Sequence, residues 1–328
     1  MDKEQGRAGR GGGADRESGV KTMTGIDRFS ARSAAVLAAA VVAVSFSAIF
    51  VRLATAPALI IAAGRLIIAT LVILPPALVL KRREMRRLRR MEIFLAFLGG
   101  LFLAGHFYYW IGSLQLTTVA HSVLFVSTHQ LFVLIASRLF FGEKIPPAAI
   151  FGSLAAFAGI AMISGGSFRI AYGGLPGDFL ALTGAVMMAG YLLVGRVLRP
   201  VISTLSYTVI VYGTAALVLT AAALLGGIPF YPYPFTDYLL FAALAIIPTI
   251  FGHSIFNWAL KRYSATLVSL LFLGEPIGAA VLAWLIFREQ PEPFFFPGAA
   301  LVLAGLAVVI MSRCRSAGPE ESPTVPPR

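Results

Sequence analysis

The stretch GHFYYWIGSLQLTTVAHSVLFVSTHQ (105–130) returns, altered, as GHSIFNWALKRYSATLVSLLFLGEP (252–276), and most of the chain around the two is apolar. This pair reads as a membrane protein built from two copies of one unit. Sliding the chain by 146 residues lays His129 on Glu275, Glu143 on Glu289, Gly152 on Gly298 and Gly159 on Gly305 with no gap among them. Four polar or glycine coincidences at one offset are hard to obtain by chance.

Hydrophobic residues make up 58% of the 328 and charged residues 13%, where soluble domains carry about 25% charged residues. Such a chain cannot hide its apolar surface in water. A membrane span needs about 20 mostly apolar residues, and ten stretches qualify: 34–54, 57–80, 93–112, 118–140, 146–165, 179–198, 204–226, 238–260, 265–287 and 293–312. Each half holds five, an odd number, so the second copy must enter the membrane upside down relative to the first. The fold expected is an all-α membrane protein: ten transmembrane helices as two inverted five-helix repeats, 34–165 and 178–312. The polar ends 1–33 and 313–328 read as disordered cytoplasmic tails. Inverted repeats are a recurring plan of secondary transporters, with the solute site near the midplane at the repeat interface.

The first span follows a long polar leader and is too long for a signal-peptide core, so it reads as an uncleaved helix. Cys314 is the only cysteine. An intramolecular disulfide and a thiol metal cluster are thereby excluded, and no metal and no cofactor are expected. The net charge of +12 and the run KRREMRRLRR (81–90) invite a nucleic-acid partner, but position argues against one. With the N-terminus in the cytoplasm, 23 of the 27 Lys and Arg fall inside, leaving only Arg52, Arg65, Arg169 and Arg288 outside or embedded. That is the positive-inside asymmetry that fixes orientation, and the basic loops attract anionic headgroups of the bilayer. An even helix count returns the C-terminus to the cytoplasm.

The chemistry lies in the polar residues within spans. All four histidines, His106, His121, His129 and His253, fall inside them, and of fifteen acids only Glu275 lies deep in one. Glu275 and His129 each stand near the middle of a span. A charge there costs about 2.5–3.5 kcal/mol or more, so such residues face a water-filled cavity or a partner. Acid and imidazole groups in that setting carry protons or bind a cationic or hydrogen-bonding solute; the alternative is a protonated Glu275 hydrogen-bonded to a neighbouring helix. Pro276 removes a backbone donor and is expected to kink or loosen the span there. Arg65 has three fates open to it: snorkelling outward, pairing with Glu275, or binding an anionic group.

His253 and Asn257 are four residues apart and share a helical face. Pro248 and Gly252 precede them in a helix able to bend, as transporter helices do at discontinuities. Trp110 and Trp258 mark matching places in the two halves, either as cavity lining or as interfacial anchors. Gly152 and Gly159, like Gly298 and Gly305, stand two helical turns apart on one face, where small residues let helices approach closely in lipid; helix packing is their expected role. Glu143 and Glu289 close spans at the water boundary and are expected in loop or capping contacts.

The two-copy plan, Pro57 and Arg65 in ATAPALIIAAGRL (54–66), the FGE ending of span four, and GHSIFNWAL with LGEPIGAAVLAWLIFRE resemble EamA-type members of the drug/metabolite transporter superfamily. The resemblance covers about residues 34–312. It implies a 5 + 5 inverted-repeat exporter of small metabolites in the bacterial inner membrane, with a central cavity lined by both halves. In the first copy the family usually has a proline where this chain has Gln130, so the preceding His129 is a feature peculiar to this chain.

Three classes of function follow. A secondary transporter meets no nucleotide-driven competitor, because the chain has no GxxxxGK[ST] loop. An intramembrane enzyme would need a constellation that the chain lacks, with no HExxH and no second intramembrane carboxylate beside Glu275; no enzyme activity is expected. A facilitative, channel-like permease stays open, and saturable, pH-dependent counterflow would separate it from a coupled transporter. One acid, several histidines, Trp, Tyr and Asn suit small amphipathic or zwitterionic solutes such as amino acids, and also cationic drugs. The sequence leaves the choice between monomer and homodimer open.

Overall fold

The computed structural model describes residues 30–117, 119–143, 145–163, 175–288 and 293–316. Most of both tails, Arg169 and Glu289 lie outside the described residues, as do the side chains of His121 and Cys314.

The first copy comprises α1 (Ala31–Leu53), α2 (Ala58–Leu80), the short α3 (Arg82–Met85), α4 (Arg90–Leu116), a rod of α5 (Val119–Ser127) and α6 (His129–Phe141), and α7 (Pro147–Ile163). The second comprises α8 (Leu175–Leu198), α9 (Thr204–Leu225), two composite rods and α14 (Phe295–Ser316). One composite rod joins α10 (Phe235–Leu244), a π-helical segment Ala245–His253 and α11 (Ser254–Ala259). The other joins α12 (Ala265–Leu271), a 3₁₀ turn Phe272–Gly274 and α13 (Glu275–Phe287). No strand occurs among the described residues.

Eight of these helices and rods are long and apolar enough to cross a membrane, while α7 and the Phe295–Met311 part of α14 are shorter apolar helices. At its start α1 reaches into the stretch expected as tail, because the Ser30 hydroxyl accepts from the Ser33 amide at 3.1 Å and caps the helix there.

The polarity is that of a protein in lipid. Val79, Phe140 and Leu225 are exposed, whereas Arg65, Gln130 and Asp237 are fully buried. Polar groups in hydrocarbon must find partners within the protein, so they turn inward.

Helix pairing follows the repeat. The third helix of the first copy, α4, packs on α8, the first of the second copy; the Phe235–Ala259 rod packs in turn on α1. Equivalent helices also meet, α2 with α9 and α7 with α14. Exchanged pairings combined with self-pairings are the signature of a two-fold relation. At the α7–α14 seam a Cβ on Gly159 would stand 2.5 Å from the Gly298 carbonyl oxygen, and one on Gly152 2.6 Å from that of Gly305. All four glycines therefore serve backbone-to-backbone packing. Because Gly152 meets Gly305 and Gly159 meets Gly298, the two helices run antiparallel.

Both copies break a helix at the same place. Before Glu275 and Pro276 the α-helix tightens into the Phe272–Gly274 turn, as a residue without an N–H favours. The first copy has no proline, yet α5 ends at Ser127 and α6 starts at His129. There the Thr128 hydroxyl donates to the Phe125 carbonyl at 2.6 Å, and side-chain bonds of this kind compete with the helix ladder. The π segment contains Pro248, and the Thr249 hydroxyl donates to the Leu244 carbonyl five residues back at 2.8 Å.

Candidate functional site

The two breaks and the end of the π segment converge on one cavity. Its polar wall includes Ser47 from α1, His106 and Trp110 from α4, His129, His253 and Glu275; Phe107, Met188 and Phe272 supply apolar surface. The rings of His106 and His253 stand 6.4 Å apart. Phe107 meets His253 edge-on at 5.2 Å, and Phe272 lies 5.7 Å from both His129 and His253.

Hydrogen bonds fix two imidazoles. His106 Nδ1 lies 3.0 Å from the Gly184 carbonyl oxygen and His129 Nδ1 2.9 Å from that of Val126. A carbonyl only accepts, so Nδ1 carries the proton in each, and in the neutral ring Nε2 is the acceptor. His253 Nδ1 and the Trp110 indole N–H find no protein partner. The wall thus offers ring faces, unfilled donors and acceptors, and one carboxyl group, the kinds of group that contact a small amphipathic molecule and exchange a proton with it or with water. No group of three or more His, Cys, Asp and Glu able to hold a metal ion occurs among the described residues.

The sequence model of the EamA-like transporter family matches residues 31–165 and matches again over 175–311. The chain belongs to that family. It is a multi-pass membrane transporter, and its two family segments are the two copies. An uncharacterized transporter of Archaeoglobus fulgidus is 26% identical over 63% of this chain and 73% of its own. The aromatic amino acid exporter YddG of Ancylobacter novellus is 27% identical over 65% of this chain and 74% of its own. The transporter YetK of Bacillus subtilis, also uncharacterized, is 26% identical over 61% of this chain and 62% of its own. A crystal structure superposes with a TM-score of 0.73 at 21% identity, covering 88% of this chain and 99% of the other, and shows the same fold.

Of the residues expected at the site of this EamA-like transporter, Glu275, His129, His253 and Trp110 line the cavity. Arg65 does not line it, nor does it snorkel outward. Its side chain is fully buried, with Nε and Nη2 donating to Thr249 Oγ1 at 3.1 and 2.8 Å and Nη1 donating to Ser47 Oγ at 3.3 Å. The guanidinium lies 3.9 Å from the Phe107 ring centroid, a cation–π contact that holds it against the cavity wall from behind.

Asn257 and Trp258 also stand away from the cavity. Asn257 lies one turn beyond His253, and its amide donates to the Tyr191 hydroxyl at 2.5 Å while its backbone carbonyl accepts from Arg199 Nε at 2.9 Å. Trp258 instead lies against Arg262, 4.5 Å from its ring centroid. The string GHFYYW has five steps from Gly105 to Trp110, and GHSIFNW has six from Gly252 to Trp258. One extra residue turns a helical side chain by about 100°, so the two tryptophans cannot face the same way. Glu143 does more than a loop contact: it forms an ion pair with Arg196 of α8 at 2.5 Å.

Sequence reasoning left His106 out of the site, although the repeated GH pair opens both strings. It also missed Asp237, fully buried, whose carboxylate accepts from the Thr55 hydroxyl at 2.9 Å and from the amides of Thr55 and Ala56 at 3.1 and 2.8 Å. A related tie joins Glu84 to the Ser203 amide at 2.6 Å. Burial pushes the Glu84 carboxyl up, but hydrogen bonds from the Ser203 amide and from the Ser203 and Ser206 hydroxyls, with Lys81 nearby, hold it below the usual carboxylate value.

Proposed function

We propose that this EamA-like transporter exports small amphipathic solutes, amino acids or their derivatives among them, across the bacterial inner membrane, and that Glu275 exchanges the proton that couples their movement. One observation carries the reading: equivalent positions of the two copies, His106 with His253 and His129 with Glu275, meet in a single cavity wall. A site made by both copies is the one place where rocking one copy against the other changes access from side to side. The exporter name of the Ancylobacter relative supports outward movement of amino-acid-like solutes.

Ten spans result when the two shorter apolar helices are counted with the eight longer ones, and the antiparallel α7–α14 seam supports inversion of the second five against the first. The repeats are 34–165 and 178–312, with both termini in the cytoplasm. In that orientation Ser47, Trp110 and Val123 belong to the outer halves of their helices. Toward the cytoplasm Tyr191, Tyr207 and Asn257 are buried in packing. The cavity wall thus extends from the midplane toward the outer face, which fits one of the two access states that transport requires.

Efflux of a metabolite panel from proteoliposomes containing the purified protein, measured with and without a pH gradient, tests this. Saturable efflux of at least one zwitterionic solute, accelerated by the gradient and showing counterflow, is expected. Saturable efflux with no response to the gradient would leave a facilitative permease, and no efflux across the panel would overturn the reading.

A further inference from the structure

Arg65 is a full positive charge, completely buried, whose hydrogen bonds go to two hydroxyls, Thr249 and Ser47. Two oxygens take up only part of five N–H donors. Removing a guanidinium from water is costly unless negative charge compensates it. Both groups between Arg65 and the cavity, Ser47 and Phe107, are part of the cavity wall. Trp110 stands three residues beyond Phe107 on the same face of α4 and lines the cavity, and its indole N–H is buried without a protein acceptor. An indole N–H only donates. Thus one side of the cavity gathers an unfilled donor, a hydroxyl and the field of a buried cation.

We infer that this side of the cavity binds the carboxylate of the transported solute, with Trp110 Nε1–H and the Ser47 hydroxyl as its contacts and Arg65 as the charge that holds it. The inference rests on the export reading above and names the group by which the solute is recognised. The aromatic faces of Phe107, Phe272 and Trp110 take the apolar remainder of the molecule.

Glu275 is the one acid in the described wall. The other titratable groups of the wall are His106 from α4, His129 from α6 and His253 from the π segment, with Arg65 of α2 behind it.

Three indole probes isolate the carboxylate: L-tryptophan, indole-3-propionate, which lacks the amine, and tryptamine, which lacks the carboxylate. Binding of each to the purified full-length protein in detergent is measured by titration calorimetry. L-Tryptophan and indole-3-propionate are expected to bind at least about tenfold more tightly than tryptamine, the scale of a hydrogen bond to a charged group. Arg65→Gln should erase that preference by weakening the two carboxylates alone. Trp110→Phe keeps the ring and removes the donor, so it should weaken the same two probes about fivefold or more; it serves the test should Arg65→Gln fail to fold. Tryptamine binding as tightly as L-tryptophan, or Trp110→Phe weakening all three probes alike, would overturn the inference and leave the export reading standing. Failure of all three to bind would overturn the inference and the amino-acid reading together.

Discussion

The rings of His106 and His253 stand 6.4 Å apart, one from each copy, tilted by 56° to one another, and Phe107 contacts both. Each histidine follows a glycine in the GH pair that opens its half of the repeat. The centre of the molecule is therefore where the chain meets its own second copy. A substitution at one histidine changes the surroundings of the other, so the pair acts as one unit rather than as two independent ligands.

Orientation is open to direct labelling. In a Cys314→Ser background, a cysteine at Arg86 should escape a membrane-impermeant thiol reagent added to intact cells. A cysteine at Tyr231, 76% exposed in a loop free of Lys and Arg, should react. The opposite pattern would reverse the proposed topology.

The α7–α14 seam should tolerate no side chain at its glycines. Gly159→Ala puts a methyl group 2.5 Å from the Gly298 carbonyl oxygen, and overpacking of this kind costs about 1–3 kcal/mol. Gly213→Ala, where a Cβ meets only Thr70 Cγ2 at 3.6 Å, is the control. Thermal unfolding in detergent should fall clearly for the first and little for the second; equal melting would remove the seam from the forces that hold the copies together.

Asp237 and Glu84 occupy matching structural roles at opposite ends of the molecule. Each precedes or opens the third long helix of its copy and ties down the turn between the first two helices of the other. Asp237→Ala leaves the Thr55 hydroxyl and the Thr55 and Ala56 amides without their acceptor. The Ala56 amide is buried and costs about 1–3 kcal/mol when unsatisfied, whereas exposed Thr55 can turn to water, so unfolding stability measured by thermal melting should fall by about 1–3 kcal/mol.

Glu84 adds a pH signature. Its folded pKa lies below the ordinary value of 4.5, so its contribution is complete above that value and disappears as pH falls through the folded pKa. Glu84→Gln should therefore melt lower than the parent at pH 7 and approach it in acid. A gap that stays constant from pH 7 to about pH 3 would show that the charge of Glu84 does not matter.

Much of the wall was legible because the repeat and the hydrophobic background carry it. A single offset of 146 pairs His129 with Glu275, and an acid deep in an apolar span has few places to go. Asn257 and Trp258 were misplaced because spacing on one helix face says nothing of depth, and because one additional residue between GH and Trp rotates the second tryptophan away. The fate of Arg65 was unreadable, since Thr249 and Ser47 come from other helices and hydroxyls leave no mark in a sequence. Asp237 escaped notice at the edge of a span, where a carboxylate usually faces water; only the folded turn at Thr55 and Ala56 gives it a purpose.

The sharpest prediction concerns Glu275, which stands at the start of α13, beside Pro276 and across the cavity wall from its counterpart His129. The amide in Glu275→Gln conserves size and hydrogen bonding but cannot take up or release a proton at ordinary pH, so the protein should fold and insert as before. Solute flux through it should lose its response to a pH gradient, because the one acid in the wall is gone. His129→Gln should do less: His129 has no acid to replace, and its Nδ1 bond to Val126 is a local contact that an amide can make. Proteoliposomes of each variant, assayed with the gradient imposed and then collapsed, separate the two. A Glu275→Gln protein that inserts normally and keeps its full pH response would reduce Glu275 to a packing residue and place the proton pathway elsewhere.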